Sequence, residues 1–190
     1  MSGARAAALW APVRRLLVVR DAPSPRAKVV AHVPASTPER TTNIVLVVGP
    51  TRGERELWVP IRASGASGWV PRAALGGYES AEMRLRVDTA SFTATLLRAG
   101  RAVFRARIGV GTAEAPTPTG SFYVRNRLTR YRSAFYGPVA FGTSARTTLT
   151  DWPAGGFVGI HGTSRPELLR AASRTDASAC GTRTYSRSRA

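Results

Sequence analysis

The chain has 190 residues, of which 43% are hydrophobic, so it is long enough to bury the core of one large or two small domains. Thirteen prolines and eighteen glycines, with many threonines and valines, favour short strands and turns over long helices and predict a mainly β fold. The formal net charge is +17, but 27 of the 28 basic residues are arginine, as a GC-rich coding sequence gives for any protein, so the charge is weak evidence for a polyanion partner.

Cysteine and histidine are too scarce to suggest a disulfide or a metal site. Cys180 is the single cysteine, and the two histidines are His32 and His161. No apolar run approaches the roughly 18 residues that a membrane span needs. Near the start, Pro12 and two arginines interrupt the apolar residues, so the printed chain has no visible export signal, although the gene could have lost an upstream segment.

Five short strands are predicted in the first part of the chain, each bounded by turn residues. They are RLLVVRDAPS, AKVVAHVP, NIVLVVGPTRG, ELWVPIRA and SGWVPRAAL. The segment WVPIRASGASGWVPRAAL resembles the end of a bacterial SH3-like domain, which implies a small SH3-like barrel over residues 12–77. Trp58 and Trp69 are then either core aromatics or ligand-binding residues, and the sequence leaves both open.

The second part of the chain begins after GGYESAEM, which is predicted to be a linker. MRLRVDTASFTATLLRAGRAVFRARIGVG alternates well and turns at RAGR, which predicts a hairpin. TAEAPTPTGSFYV is predicted as a proline-rich loop that leads into a strand, and RNRLTRYRSAFYGPVAFGTSARTTL as a polar arm. The apolar strand GFVGI then leads directly to His161, so the imidazole is predicted at a point where a loop leaves a sheet.

Three of these segments together resemble the L,D-transpeptidase catalytic domain (YkuD-type) of bacterial cell-wall enzymes. They are LLRAGRAVFRARIGVGTAEAPTPTGSFYV, YGPVAFGTS and GGFVGIHGTSRPELL, within residues 83–169. The resemblance depends on PTPTGSF combined with IHGT, since either motif alone is weak. It implies a β-sandwich with a mixed sheet, acyl transfer by a cysteine thiolate, and no cofactor.

The resemblance also implies roles for individual residues. His161 would be the general base that takes the proton of the thiol, because an imidazole of pKa near 6.5 can accept it. Its other ring nitrogen needs an acceptor, which in the family is a nearby backbone carbonyl that the sequence does not locate. Tyr136, Thr143, Gly162 and Thr163 would contact the peptide stem, and Tyr136 is also consistent with a packing aromatic.

The family's nucleophile motif, Ser-His-Gly-Cys-x-Arg, is absent from the printed chain. In its place stands RAASRTDASACGTRTYSRSRA. One permitted set of codons for this stretch, read from the third base of the Arg170 codon, gives GRVSHGCVRMRNAD, with the cysteine at the position of Ala177. We therefore predict that residues 174–190 are a frameshifted, disordered tail and that the catalytic domain, residues 83–173, is incomplete. Cys180 lies about three residues too far along and is not expected to replace the nucleophile.

The sequence thus predicts an L,D-transpeptidase that forms 3→3 cross-links between peptidoglycan tetrapeptide stems and is inactive as printed. Carbapenem-type inhibitors would bind covalently only if the nucleophile were restored. The family implies an extracytoplasmic location, in the cell wall or periplasm. The alternative is a non-catalytic peptidoglycan-binding protein, and no specific nucleic-acid partner is expected. The arginines between Arg125 and Arg146 are either solvated edge charges or groups that attract carboxylate-rich peptidoglycan.

Overall fold

The computed structural model describes residues 8–49, 57–63, 65–129, 136–147, 156–164 and 169. The chain divides into two compact units, Ala6–Ala81 and a second unit that begins at Glu82. Apart from one 3₁₀ turn, Arg72–Ala74, every helix or strand in the described ranges is a β-strand, which confirms the mainly β fold class. None of the described residues forms a helix with the length and apolar character needed to cross a membrane.

The first unit is a single antiparallel sheet of seven strands. They are β1 (Ala8–Pro12), β2 (Leu17–Arg20), β3 (Val29–Val33), β4 (Ile44–Val47), β5 (Trp58–Ala63), β6 (Ala66–Pro71) and β7 (Glu79–Ala81). Their order across the sheet is β3-β2-β6-β5-β4-β1-β7. The five predicted strands are β2 to β6. The structure adds β1 before them and β7 within the stretch interpreted as a linker, while closure into an SH3-like barrel stays a prediction.

The core of this unit follows the two-residue alternation of its strands. Val59 and Ile61 of β5 are fully buried and pack with alternate residues of β1, β2, β4 and β6. Trp58 and Trp69 are half-buried, and the pairs Trp58↔Pro71 and Pro60↔Trp69 place them on the face opposite Val59. Neither tryptophan therefore belongs to the buried core, and a ligand-binding role for them stays a prediction.

The second unit begins with a three-stranded antiparallel sheet in the order β10-β9-β8. Its strands are β8 (Met83–Asp88), β9 (Thr93–Arg98) and β10 (Arg101–Arg107). The hairpin predicted at RAGR is confirmed, with Ala99 and Gly100 at φ values of 47° and 81° in a two-residue turn. Such turns need positive φ at both positions, which glycine adopts without strain.

A second three-stranded antiparallel sheet consists of β11 (Val124–Leu128), β12 (Ala140–Arg146) and β13 (Phe157–His161), with β12 in the centre. The proline-rich segment before β11 contains no strand, as predicted. The prediction of a polar arm is wrong in part, because this stretch forms most of β11 and all of β12. Bulges in both pairings, together with the buried Arg125 and Asn126, break the alternation by which a strand is recognised.

Gly68 provides a test of the packing in the first unit. A Cβ atom there would overlap the carbonyl oxygen of Arg20 and lie 2.9 Å from Val19 Cγ1. We expect Gly68→Ala to lower the free energy of unfolding by about 1–3 kcal/mol, because a close-packed sheet must shift to accept the methyl group. Gly77→Ala is the matched control, since nothing lies within 4 Å of its added Cβ. Equal unfolding midpoints of the two variants in urea would contradict this packing.

Candidate active site

His161 is the last residue of β13 and is held inside the second sheet. It pairs with Ala140 of the central strand β12, and its side chain is only 2% exposed. The apolar sequence Phe-Val-Gly-Ile before it favours an extended, buried strand, and the loop begins immediately after it. The structure therefore places the imidazole where a strand becomes a loop, as the sequence predicted.

A hydrogen bond to the backbone fixes the tautomer of His161. Its Nδ1 atom lies 2.7 Å from the carbonyl oxygen of Gly162. A carbonyl oxygen can only accept a hydrogen bond, so the contact requires the proton on Nδ1. The lone pair of the neutral ring is then on Nε2, which is the arrangement of a general base. Every residue has a carbonyl, so the sequence could not identify this acceptor.

Tyr136 contacts both residues of this pair. Its carbonyl oxygen accepts a hydrogen bond of 3.0 Å from the backbone N–H of Gly162. Its ring meets the imidazole of His161 edge to face, with the ring centroids 4.4 Å apart at an interplanar angle of 70°. The two contacts hold the His161–Gly162 peptide and restrict rotation of the imidazole. Tyr136 thus lies beside the candidate base and packs against it, while its contact with a peptide stem stays a prediction.

Thr143 lies in β12 and is 7% exposed. Its hydroxyl donates a hydrogen bond of 2.7 Å to the carbonyl oxygen of Val158 and accepts one of 3.2 Å from the N–H of Ala145. Both contacts lie within the sheet, so the hydroxyl joins β12 to β13. Thr163, directly beyond the site, is also buried at 6% exposure. Contacts of these threonines with a peptide stem stay predictions.

The sheet face that carries His161 is lined by small residues. The pairs Ala140↔His161 and Gly142↔Gly159 lie on this face because side chains alternate along each strand. Asn126 covers Gly142, since its Oδ1 accepts a 3.1 Å hydrogen bond from the Gly142 N–H and would collide with a Cβ atom there. The sequence analysis did not identify Asn126, because a polar residue that alternates with arginines gives no sign of burial.

Arg125 has neither of the roles that the sequence left open for the arginines between Arg125 and Arg146. It is only 5% exposed, and its Nε donates a 3.0 Å hydrogen bond to the carbonyl oxygen of Thr143. Its guanidinium carbon lies 3.7 Å from the ring centroid of Phe157, and that of Arg146 lies 4.6 Å from the same centroid. Arg125 is therefore a buried structural residue that joins all three strands of the sheet.

The predicted tail, residues 174–190, lies outside the described residues, as does Cys180. The structure brings Tyr136 and Gly162 into contact with His161 and places Thr163 in the loop beyond it, whereas the Thr143 hydroxyl bonds to Val158 and Ala145 within the sheet. The part of the chain that is described contains no group of three or more His, Cys, Asp or Glu residues that could hold a metal ion.

The family model of the L,D-transpeptidase catalytic domain, YkuD, matches residues 82–184. The matched range contains both sheets of the second unit and His161, and it extends past Cys180. No curated protein matches the chain.

The hydroxyl of Thr143 allows a test of how β12 and β13 are joined. We expect Thr143→Val to lower the free energy of unfolding by about 1–3 kcal/mol, because the buried carbonyl of Val158 and N–H of Ala145 each lose a partner. Thr143→Ser keeps the hydroxyl and should unfold at nearly the wild-type denaturant concentration. A serine variant as unstable as the valine variant would show that the methyl group, and not the hydrogen bond, matters.

Proposed function

Because the chain belongs to the YkuD family of L,D-transpeptidase catalytic domains, we propose that His161 is the general base of an acyl transfer between peptidoglycan stems. The family carries out L,D-transpeptidase chemistry on peptidoglycan and is typically extracytoplasmic. The observation that supports the assignment is the 2.7 Å contact between Nδ1 and the Gly162 carbonyl, which leaves Nε2 to accept a proton.

The proposed reaction has two steps. Nε2 of His161 takes the proton of a cysteine thiol, and the thiolate attacks the carbonyl carbon of the L,D bond before the terminal D-alanine of a tetrapeptide stem. The C–N bond breaks, and the imidazolium returns its proton to the departing amine of D-alanine, leaving a thioester. The amine of a second stem then attacks the thioester, and the thiol is restored. Water in place of that amine gives hydrolysis.

The Gly162 carbonyl supports each proton transfer. When Nε2 is protonated the ring carries a positive charge, and the hydrogen bond from Nδ1 becomes charge-assisted and stronger. Burial of the ring keeps water from competing for this bond. Tyr136, Thr143, Gly162 and Thr163 complete the proposed site, with the backbone of the loop after His161 facing the stem.

We further propose that the printed chain lacks the nucleophile because its reading frame changes near Arg170. The codons that encode this stretch permit an alternative frame with Ser-His-Gly-Cys-x-Arg at the spacing after His161 that the family expects, whereas Cys180 has no preceding His-Gly. The backbone N–H groups beside that His-Gly-Cys would stabilise the oxyanion of the tetrahedral intermediate. The printed protein would then bind stems without turning them over.

The first test uses the protein as printed. After incubation with a carbapenem, we expect intact-mass spectrometry to find only the unmodified mass, because no thiolate is held beside His161. Cys180→Ala is the matched control and should give the same result. A covalent adduct that disappears in Cys180→Ala would contradict the frame proposal and identify Cys180 as the nucleophile.

The second test uses protein from a gene in which one base is inserted at the Arg170 codon, so that reading continues from the third base of that codon. We expect this protein to form the carbapenem adduct and to release D-alanine from tetrapeptide stems. His161→Gln in this background should reduce the rate of release by about 10²–10⁴-fold, the usual contribution of a general base. Thr143→Ser is the control and should keep most of the rate.

Stem binding without release of D-alanine by the repaired protein would favour the alternative, a non-catalytic peptidoglycan-binding protein. Unchanged release by His161→Gln would contradict the assignment of the base.

A further inference from the structure

One face of the sheet β8–β10 is lined by arginine. Directly paired residues share a face of an antiparallel sheet, and side chains alternate along each strand. The pairs Arg86↔Thr95 and Arg105↔Thr95 place Arg86 and Arg105 on one face, on opposite sides of β9. Arg84 and Arg107, each two residues from these along the same strands, lie on the same face. We call these four residues the arginine face.

The arginine face carries positive charge that the described chain does not neutralise. All four side chains are exposed, and none of them forms an ion pair with any residue that the structure describes. The one acid on this face of the described strands is Asp88, whose Oδ1 accepts hydrogen bonds of 3.0 Å from the N–H groups of Ala90 and Ser91. Hydrogen bonds from Ser91 contribute most to lowering the pKa of Asp88, and the charge of Arg105 adds to them.

The opposite face of the same sheet is apolar except near the hairpin turn, where Arg98 pairs with Arg101. Val87 and Ala94 pair there and pack with Phe92, Ile108 and Val110 in the core of this unit. GC-rich coding explains a high count of arginines, but it does not explain why four of them share one face almost without acids. A solvent face normally mixes both signs, because like charges close together are unfavourable.

The geometry suits an extended anionic chain. The arginines form one row on β8 and one on β10, about 10 Å apart because a single strand lies between them. Within a row, successive arginines are separated by about 7 Å, the repeat of two residues. Between the rows lie Thr95, which is half-buried, and Thr93, which is buried at 6% exposure, and neither carries a charge.

We propose that the arginine face binds carboxylates of the peptidoglycan polymer, as a second contact in addition to the site around His161. The guanidinium fork pairs with a carboxylate through two parallel hydrogen bonds. Stem peptides recur along the polymer, so several weak contacts add up. The choice of partner rests on the proposed function, since the family acts on peptidoglycan. The face holds the polymer while individual stems enter and leave the site.

The test is cosedimentation of the full printed chain with insoluble peptidoglycan at several NaCl concentrations. We expect Arg86→Gln with Arg105→Gln to weaken binding by about fivefold or more at low salt, as the loss of two exposed ion pairs predicts, and to reduce its salt dependence. The matched control is Arg98→Gln with Arg101→Gln, which removes two charges from the opposite face of the same sheet. The control should retain binding within about twofold.

A second pair, Arg84→Gln with Arg107→Gln, repeats the measurement if the first pair folds poorly, and thermal unfolding checks each variant. When the carboxylates of the peptidoglycan have been converted to neutral amides, the wild-type protein should bind it about as weakly as the Arg86/Arg105 double variant binds unmodified peptidoglycan. Equal loss in the test and control pairs would overturn the proposal. Binding that survives amidation, or that polyphosphate or duplex DNA supports equally well, would also overturn it.

This outcome is separable from that of the proposed function. The two proposals are read by different measurements, since cosedimentation of the printed chain tests Arg86 and Arg105, and release of D-alanine by the repaired protein tests His161. If the frame-repaired protein shows no turnover but its binding depends on Arg86 and Arg105, the catalytic assignment is contradicted and the arginine-face proposal is supported. If it shows turnover but its binding does not depend on those arginines, the catalytic assignment is supported and the arginine-face proposal is contradicted.

Discussion

The chemistry proposed for this protein depends on one hydrogen bond, from Nδ1 of His161 to the carbonyl of the next residue, Gly162. It selects one tautomer, and the N–H of the same residue, Gly162, donates to the carbonyl of Tyr136. Gly162 therefore accepts from the imidazole through its carbonyl and donates to the neighbouring segment through its N–H. Rotation of the imidazole would break the first bond, and movement of the loop would break the second. The position of Nε2 is thus set largely by backbone atoms.

The sheet that leads into this loop contains buried polar side chains whose hydrogen bonds are made within the sheet itself. Thr143 joins β12 to β13 through its hydroxyl, Asn126 joins β11 to Gly142, and Arg125 donates to β12 while it lies over Phe157 of β13. Each bond is directional, so a sliding register would leave a buried donor or acceptor without a partner. These contacts fix where β13 ends and therefore where the imidazole lies.

The high arginine content has different consequences in the two sheets of the second unit. Arg125 is desolvated, hydrogen-bonded and stacked on an aromatic ring, so it acts as a structural group. Arg86 and Arg105 lie in solvent on either side of β9 and keep their charge available to a partner. In the composition all these arginines count alike. Their burial and their cross-strand neighbours decide which role each has, because a buried, paired guanidinium stabilises the fold whereas an exposed one can bind a partner.

The sequence by itself determined the β class, the family, the hairpin at RAGR and the place of His161 at the end of a strand, because these follow from local alternation, turn residues and short motifs. It did not predict β7 within the supposed linker or β12 within the supposed polar arm. Both strands exist through pairing with distant residues, and bulges hide the alternation of β12. Only the tertiary structure decided that the carbonyl of Gly162 accepts from His161 and that Arg125 is buried. A backbone carbonyl has no sequence signature, and an arginine is buried or exposed only according to which strands fold over it.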